Sequence, residues 1–141
     1  MPTASTGLCR CDPAALPAIR RWVADQLRSA LGALTDADST LIDDARLVVS
    51  ELATNGMRAG CTRVSVSLDV TAAEVVVEVA EDAPGRPQPI ECGPSSDHGR
   101  GLSLVEALSR TWGVREITSG KAVWAVLSRV GPPAAVGAAR A

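Results

Sequence analysis

The chain has 141 residues, of which 46% are hydrophobic, enough for one domain built around a single core. Its 14 basic and 16 acidic side chains nearly balance, so neither the footprint of a nucleic-acid binder nor a basic membrane-surface patch is present. No run approaches the roughly 20 apolar residues of a membrane span, and the N-terminal "MPTASTGLCRC" lacks the basic region and apolar stretch of a signal peptide; the expected location is the cytoplasm.

In chain order, "DPAALPAIRRWVADQLRSALG" spaces Leu16, Ile19, Val23, Leu27 and Leu31 as one face of an amphipathic helix, with Asp12 as a candidate cap and Pro17 able to delay the start. "TDADSTLIDDARLVVSELATNGMRAG" offers capping residues and acids at its start, then a stripe of Leu41, Ala45, Val48 and Leu52, then Gly60 as a stop. After Gly60 the period changes to two. Val64, Val66, Leu68 and Val70 alternate with Arg63, Ser65, Ser67 and Asp69, and a turn over residues 71–73 leads into "EVVVEVAED", which predicts an antiparallel hairpin.

"APGRPQPIECGPSSDHGRG" then holds four prolines and four glycines and reads as a long loop of the kind that carries function or disorder. A third helix, "LSLVEALSR", precedes two strands, "TWGVREI" and "AVWAVLSRV", joined by "TSGK". The tail, 131–141, is small and rich in Pro and Gly and is expected to be disordered. Helices on one face of a mainly antiparallel sheet, an α+β two-layer sandwich, accommodate this order. Trp22, Trp112 and Trp124 are expected to pack in the core or on the sheet. Of the cysteines at 9, 11, 61 and 92 only Cys9 and Cys11 are close in sequence, and the sole histidine is His98, so reduced, metal-free thiols are expected.

Two phosphate motifs fail on inspection. In "GRGLSL" the third glycine of a dinucleotide fingerprint would fall on Leu104, and no strand precedes the motif directly; in "SGKAV" a P-loop would need glycine at Arg115 and Ser or Thr at Ala122. Gly99 and Gly101 remain at the entrance of a helix, where backbone N–H groups and the helix dipole favour an anion. "ELATNGMRAG" poses a different question: Glu51 and Asn55 share a helix face, and Gly56 beside them costs roughly 1 kcal/mol relative to alanine in a helix interior.

Taken together and in order, "ELATNGMRAG", "VAEDAPGRP", "HGRGLSLV" and "WGVREITSGKAVWAVL" resemble the Bergerat-fold (GHKL) ATP-binding domains of gyrase, Hsp90, histidine kinases and MutL. More narrowly they are similar to the small anti-sigma factor serine kinases and their actinobacterial ATP-binding relatives. The resemblance covers nearly the whole chain and implies a single ATP-binding domain over 1–130, with ATP and Mg²⁺ as cofactors. It implies Mg²⁺ on Asn55 and Glu51 as general base. It also implies a nucleotide site that includes Gly85, Gly99, Arg100, Gly101, Leu102 and Lys121. Lys121 stands where many such domains carry threonine; it could add a charge beside the nucleotide or cap the turn. Arg100 could meet a phosphate or face water, and His98 is expected to be a solvated loop residue. Gly56 would let the helix approach the nucleotide.

An acid near the end of the second strand should accept a hydrogen bond from the adenine amine. Counting back from Pro84 and Gly85 puts Glu81 there, whereas residue type favours Asp82. The alternation of Val75, Val77 and Val79 sends Glu81 to the packed face only if the hairpin stays regular, and Asp82 is narrowly preferred.

Two functions follow from the resemblance. One is a serine protein kinase whose substrate is a small anti-sigma factor antagonist and whose second client is a sigma factor, with a homodimer left open. The other is a non-catalytic module that reports ATP through its lid and partner surface. The catalytic half of a histidine kinase would be preceded by a dimerisation helix pair bearing a phospho-acceptor histidine, which the first 35 residues do not hold.

Overall fold

The computed structural model describes residues 3–32, 35–82, 97–118 and 120–129, with the side chains of Thr3, Ser5 and 97–102 outside the described set. Strand β1 (Thr3–Arg10) leads through a 3-10 turn (Pro13–Ala15) into helix α1 (Leu16–Leu31) and helix α2 (Asp36–Arg58). The hairpin β2 (Arg63–Val70) and β3 (Glu74–Glu81) follows, then helix α3 (Asp97–Leu108), then β4 (Thr111–Ile117) and β5 (Gly120–Ser128). The strands form one sheet in the order β1-β2-β3-β5-β4, every neighbouring pair antiparallel. The α+β sandwich expected from the sequence is the observed architecture.

The helices begin where backbone amides find acceptors. Asp12 caps the 3-10 turn, not α1 itself, accepting from the Ala14 amide at 2.9 Å. Pro17 does not delay α1: it sits in the first turn, where a missing N–H costs no helical hydrogen bond. Thr35 opens α2 with a reciprocal capping box. Its hydroxyl accepts from the Asp38 amide at 3.1 Å while the Asp38 carboxylate accepts from the Thr35 amide at 3.1 Å. These bonds from Thr35 hold the Asp38 carboxyl below its ordinary range.

Ile19, Val23 and Leu27 of α1 and Leu41, Ala45, Val48, Val49 and Leu52 of α2 are buried against Val64, Val66, Leu68, Val75, Val77, Val79, Val123, Ala125 and Leu127 of the sheet. Each fully buried Val or Leu contributes about 1.5–3 kcal/mol of transfer free energy. The predicted stripes therefore face the sheet. Two glycines make room for aromatic rings: Gly7 for Trp22, whose ring would lie 3.0 Å from a Cβ there, and Gly113 for Trp124, at 2.5 Å. Trp112 packs on the same core, so the tryptophans hold the packing roles expected of them.

Three features depart from the sequence reading. The segment "TASTGLCR" is a full edge strand paired with β2 from Thr3↔Val70 to Arg10↔Arg63. It was not expected, because small polar residues give no alternation, and its pairing partner is more than fifty residues away. The third helix starts at Asp97, five residues ahead of Leu102, so His98, Gly99 and Gly101 lie within its opening turns. Cys11 and Cys61, expected as free thiols, are joined in a disulfide with a Cα–Cα distance of 5.7 Å, while Cys9 is free. Cys11 lies one residue past the end of β1, where its amide donates to the Thr62 carbonyl and so brings it beside Cys61, just ahead of β2. Loop residue Cys92 and the tail 131–141 lie outside the described residues. No described helix is long and apolar enough to cross a membrane.

The disulfide spans 50 positions, and the chain-entropy account of such a closure gives up to about 4 kcal/mol. Chemical unfolding of the protein with and without a dithiol reductant should differ by a large part of that amount. Equal midpoints, together with a thiol count showing no cysteine pair under denaturing conditions, would show that the bridge does not form.

Candidate functional site

The helical face of the sheet ends, at the tips of β3 and β5, in a polar group that the apolar core does not require. Glu81 is the last residue of β3 and is only 5% exposed. The hairpin keeps an unbroken register from Val70↔Val75 to Val64↔Glu81, so Glu81 continues the inward series of Val75, Val77 and Val79 onto the packed face. Its cross-strand neighbour on β5 is Lys121, whose Nζ lies 3.0 Å from Glu81 Oε1 with 16% of the lysine side chain exposed. Lys121 thus belongs to a strand and does not cap the turn. Gly120, just before it, sits so close to β3 that a Cβ would overlap the Glu81 carbonyl oxygen.

Helix α2 crosses directly above this pair. A Cβ on Gly56 would stand 3.0 Å from Glu81 Cγ and 3.3 Å from Cys61 Sγ. Gly56 is therefore the residue that lets the helix settle onto the Glu81 side chain, which accounts for a glycine inside a long helix. One residue earlier, Asn55 is 5% exposed and its Oδ1 is shut off from solvent with no hydrogen-bond partner. One turn earlier still stands Glu51, half-buried.

Asp82 goes elsewhere. Its carboxylate turns back to the start of β2, where it accepts from the Thr62 amide at 2.6 Å, the Arg63 amide at 3.0 Å and the Thr62 hydroxyl. The Thr62 hydroxyl and these two amides hold the Asp82 carboxyl down at about 2. The narrow preference for Asp82 as the inward acid depended on the hairpin losing its regular pleat at this end. The pleat persists, and the inward acid is Glu81.

The structure thus brings Asn55, Gly56, Glu81 and Lys121 together, with Glu51 one turn along the same helix. Leu102 and the glycines at 99 and 101 lie in α3, which packs on α2; the side chain of Arg100 is outside the described set, and Gly85 lies outside the described residues. The importance of Gly56 as a seat for Glu81 was missed, although a glycine in a helix interior and an acid at a strand tip are both visible in the sequence.

A divalent cation can be tested against this geometry. Among the described residues no three His, Cys, Asp or Glu side chains cluster as a cage. Asn55 nonetheless supplies a hard amide oxygen, buried and unused. A cation taking one protein oxygen and completing its shell with phosphate and water oxygens is the habit of Mg²⁺ at nucleotide sites, so the donor set fits.

The sequence matches the family model of the histidine kinase-like ATPase domain over residues 9–127. The match runs from the end of β1 into β5, and the chain belongs to this GHKL family of ATP-binding domains. No curated protein matches the sequence.

Asp82 also sets a pH dependence. Because its folded value, about 2, lies below the ordinary 3.8, its contribution is fully present above the unfolded value and is lost as pH falls from about 4 towards 2. Thermal melts of Asp82→Ala should be lower than those of the native protein at neutral pH. The two sets should converge in that acid window; a difference that stayed constant down to pH 2 would remove Asp82 from the acid response.

Proposed function

We propose that the protein is an ATP-binding regulator that acts as a serine protein kinase of the anti-sigma factor type on a small anti-sigma factor antagonist, with a sigma factor as a second client. The observation that carries the nucleotide chemistry is the buried, unpartnered Oδ1 of Asn55, one helical turn from Glu51. Asn55 would hold Mg²⁺, which supplies Lewis-acid neutralisation of the phosphate charge when bound. Glu81 accepts the adenine amine at the floor of the site, below Gly56. The glycine-bearing first turns of α3 present backbone N–H groups to the phosphates, and Lys121 adds a positive charge at the same end of the sheet.

Glu51 then takes the proton of a partner serine as its oxygen attacks the γ-phosphorus. The bond from that phosphorus to the β–γ bridging oxygen breaks and ADP leaves. Because Glu51 is half-buried, a serine from outside can reach it, which a fully buried acid would not permit.

One observation favours the second reading, a non-catalytic reporter of ATP. The acid at the adenine position already has a cation: Glu81 pairs with Lys121 at 3.0 Å. An acceptor engaged in this way gives less to adenine, which suits a protein whose partner surface responds to high nucleotide levels.

Calorimetry on variants checks the site. Glu81→Gln should weaken ATP and ADP alike by about 1.5–3 kcal/mol, the scale of a hydrogen bond to a charged group, while Asp82→Asn, which faces β2, should leave both nearly unchanged. The opposite ranking would return the adenine contact to Asp82.

Asn55→Ala should lose the magnesium dependence of ATP binding. Glu51→Gln should keep that binding and slow transfer to a partner serine by roughly 10²–10⁴-fold. A native protein that phosphorylates no antagonist protein, yet binds such partners in an ATP-dependent way, would decide for the reporter.

A further inference from the structure

α1 and α2 enclose a second concavity, of about 330 Å³, walled by Pro17, Arg20, Arg21, Ala24, Arg28 and Arg46. It is separate from the nucleotide site, since Arg46 precedes Asn55 by nine residues, or about 13 Å along α2. Four of the 14 basic side chains meet here in a protein of net charge −2, so the concentration does not follow from general basicity. The protein's own acids neutralise it poorly. Asp25 reaches Arg28 only at 3.5 Å and Asp43 reaches Arg46 only at 3.8 Å, both between exposed side chains that water and salt screen.

The other donors are less satisfied still. Arg20 donates to a neutral acceptor, Ser50 Oγ, at 3.2 Å, and among the described residues Arg21 makes no ion pair. The Nε–H of Arg46 is shut off from solvent with no acceptor, so no hydrogen bond at that atom opposes a turn of the side chain towards a bound carboxylate.

We propose that this cleft is a docking groove for an acidic segment of a partner protein, with carboxylates about two helical turns apart. The spacing comes from α1: Arg28 follows Arg20 by eight residues, about 12 Å along the helix, so the arginines are set out along the groove. A single phosphate needs convergence, whereas carboxylates along a helix or strand match a row. Asp25, Asp43 and Asp44 on the same two helices repel a nucleic acid or an anionic membrane, whose charge is continuous. A segment with few, placed acids avoids them. This inference does not depend on whether the chain transfers a phosphoryl group.

The test uses the full chain and a synthetic helical peptide of about 15 residues with two glutamate pairs about eight positions apart, beside its glutamine counterpart. The glutamate peptide should bind at least roughly tenfold more tightly, weaken as salt rises, and shift the arginine Nε–H resonances. The exposed double variant R21Q/R28Q should bind it no better than the glutamine peptide while retaining a native melt and native Mg·ATP affinity. Equal binding of the two peptides, or undiminished binding by the double variant, would overturn the proposal. So would tighter binding of inorganic phosphate, of single-stranded DNA or of vesicles of anionic lipid.

Discussion

The approach of α2 to the tip of β3 is the constraint on which the site depends. A helix laid on a sheet normally keeps its distance through the side chains between them, about 10 Å of packed aliphatic groups. Here the helix comes down at Gly56, where the absence of a Cβ admits the Glu81 side chain at the distance a methyl group would otherwise fill. Everything polar at this end follows from that contact. Glu81 can be buried because Lys121 stands opposite it across β3 and β5, and Gly120 allows β5 to press close enough for that pairing. Asn55 is carried into the interior beside Gly56 and left with an unused oxygen. An interior acceptor without a partner costs free energy comparable to a lost hydrogen bond, which a bound nucleotide and its cation would restore.

The division of labour between Glu81 and Asp82 shows how adjacent acids acquire different roles. One continues the pleat inward into a low-dielectric setting, where it needs a cation. The other leaves the strand and ties its end to the start of β2 through Thr62 and Arg63. That second role sets the geometry of the first, since holding the strand ends together keeps the β2–β3 register unbroken as far as Glu81. The Cys11–Cys61 bridge adds a covalent tie at the same corner, with Cys61 Sγ beside Gly56. The corner is thus held by a hydrogen-bonded tie and a covalent one.

Period was the legible part of this fold. The helical stripes of α1 and α2 and the alternation of β2 and β3 were visible because apolar residues repeat at the spacing of the element that buries them. β1 was not, because Thr, Ala, Ser and Gly carry no such signal and the strand exists only through its pairing with β2. The start of α3 was misplaced because two glycines argue for a loop, whereas the helix begins at Asp97 and includes them. At the candidate site, the shared helix face of Glu51 and Asn55 was readable from their spacing. The choice between Glu81 and Asp82 was not, because it turns on whether a strand stays regular for one residue more, which the partner strand decides. The disulfide was hidden for a similar reason: only the fold brings positions 11 and 61 together.

Helix α2 links the two surfaces. Arg46 on the basic cleft, Ser50 against Arg20, Glu51 at the half-buried position, then Asn55 and Gly56 over Glu81 follow one another along a single helix. A helix buried along Leu41, Ala45, Val48, Val49 and Leu52 does not bend locally at small cost, since its core neighbours leave no space for one turn to move alone. A partner that drew the backbone at Arg46 towards its carboxylates would therefore act on the whole element, Asn55 included. Conversely, a nucleotide that filled the space at Asn55 and Glu81 would favour one seating of α2 and hence one spacing of the arginines. If the two sites are coupled, the coupling is reciprocal by linkage. It requires no path of side chains between them beyond the helix that carries both.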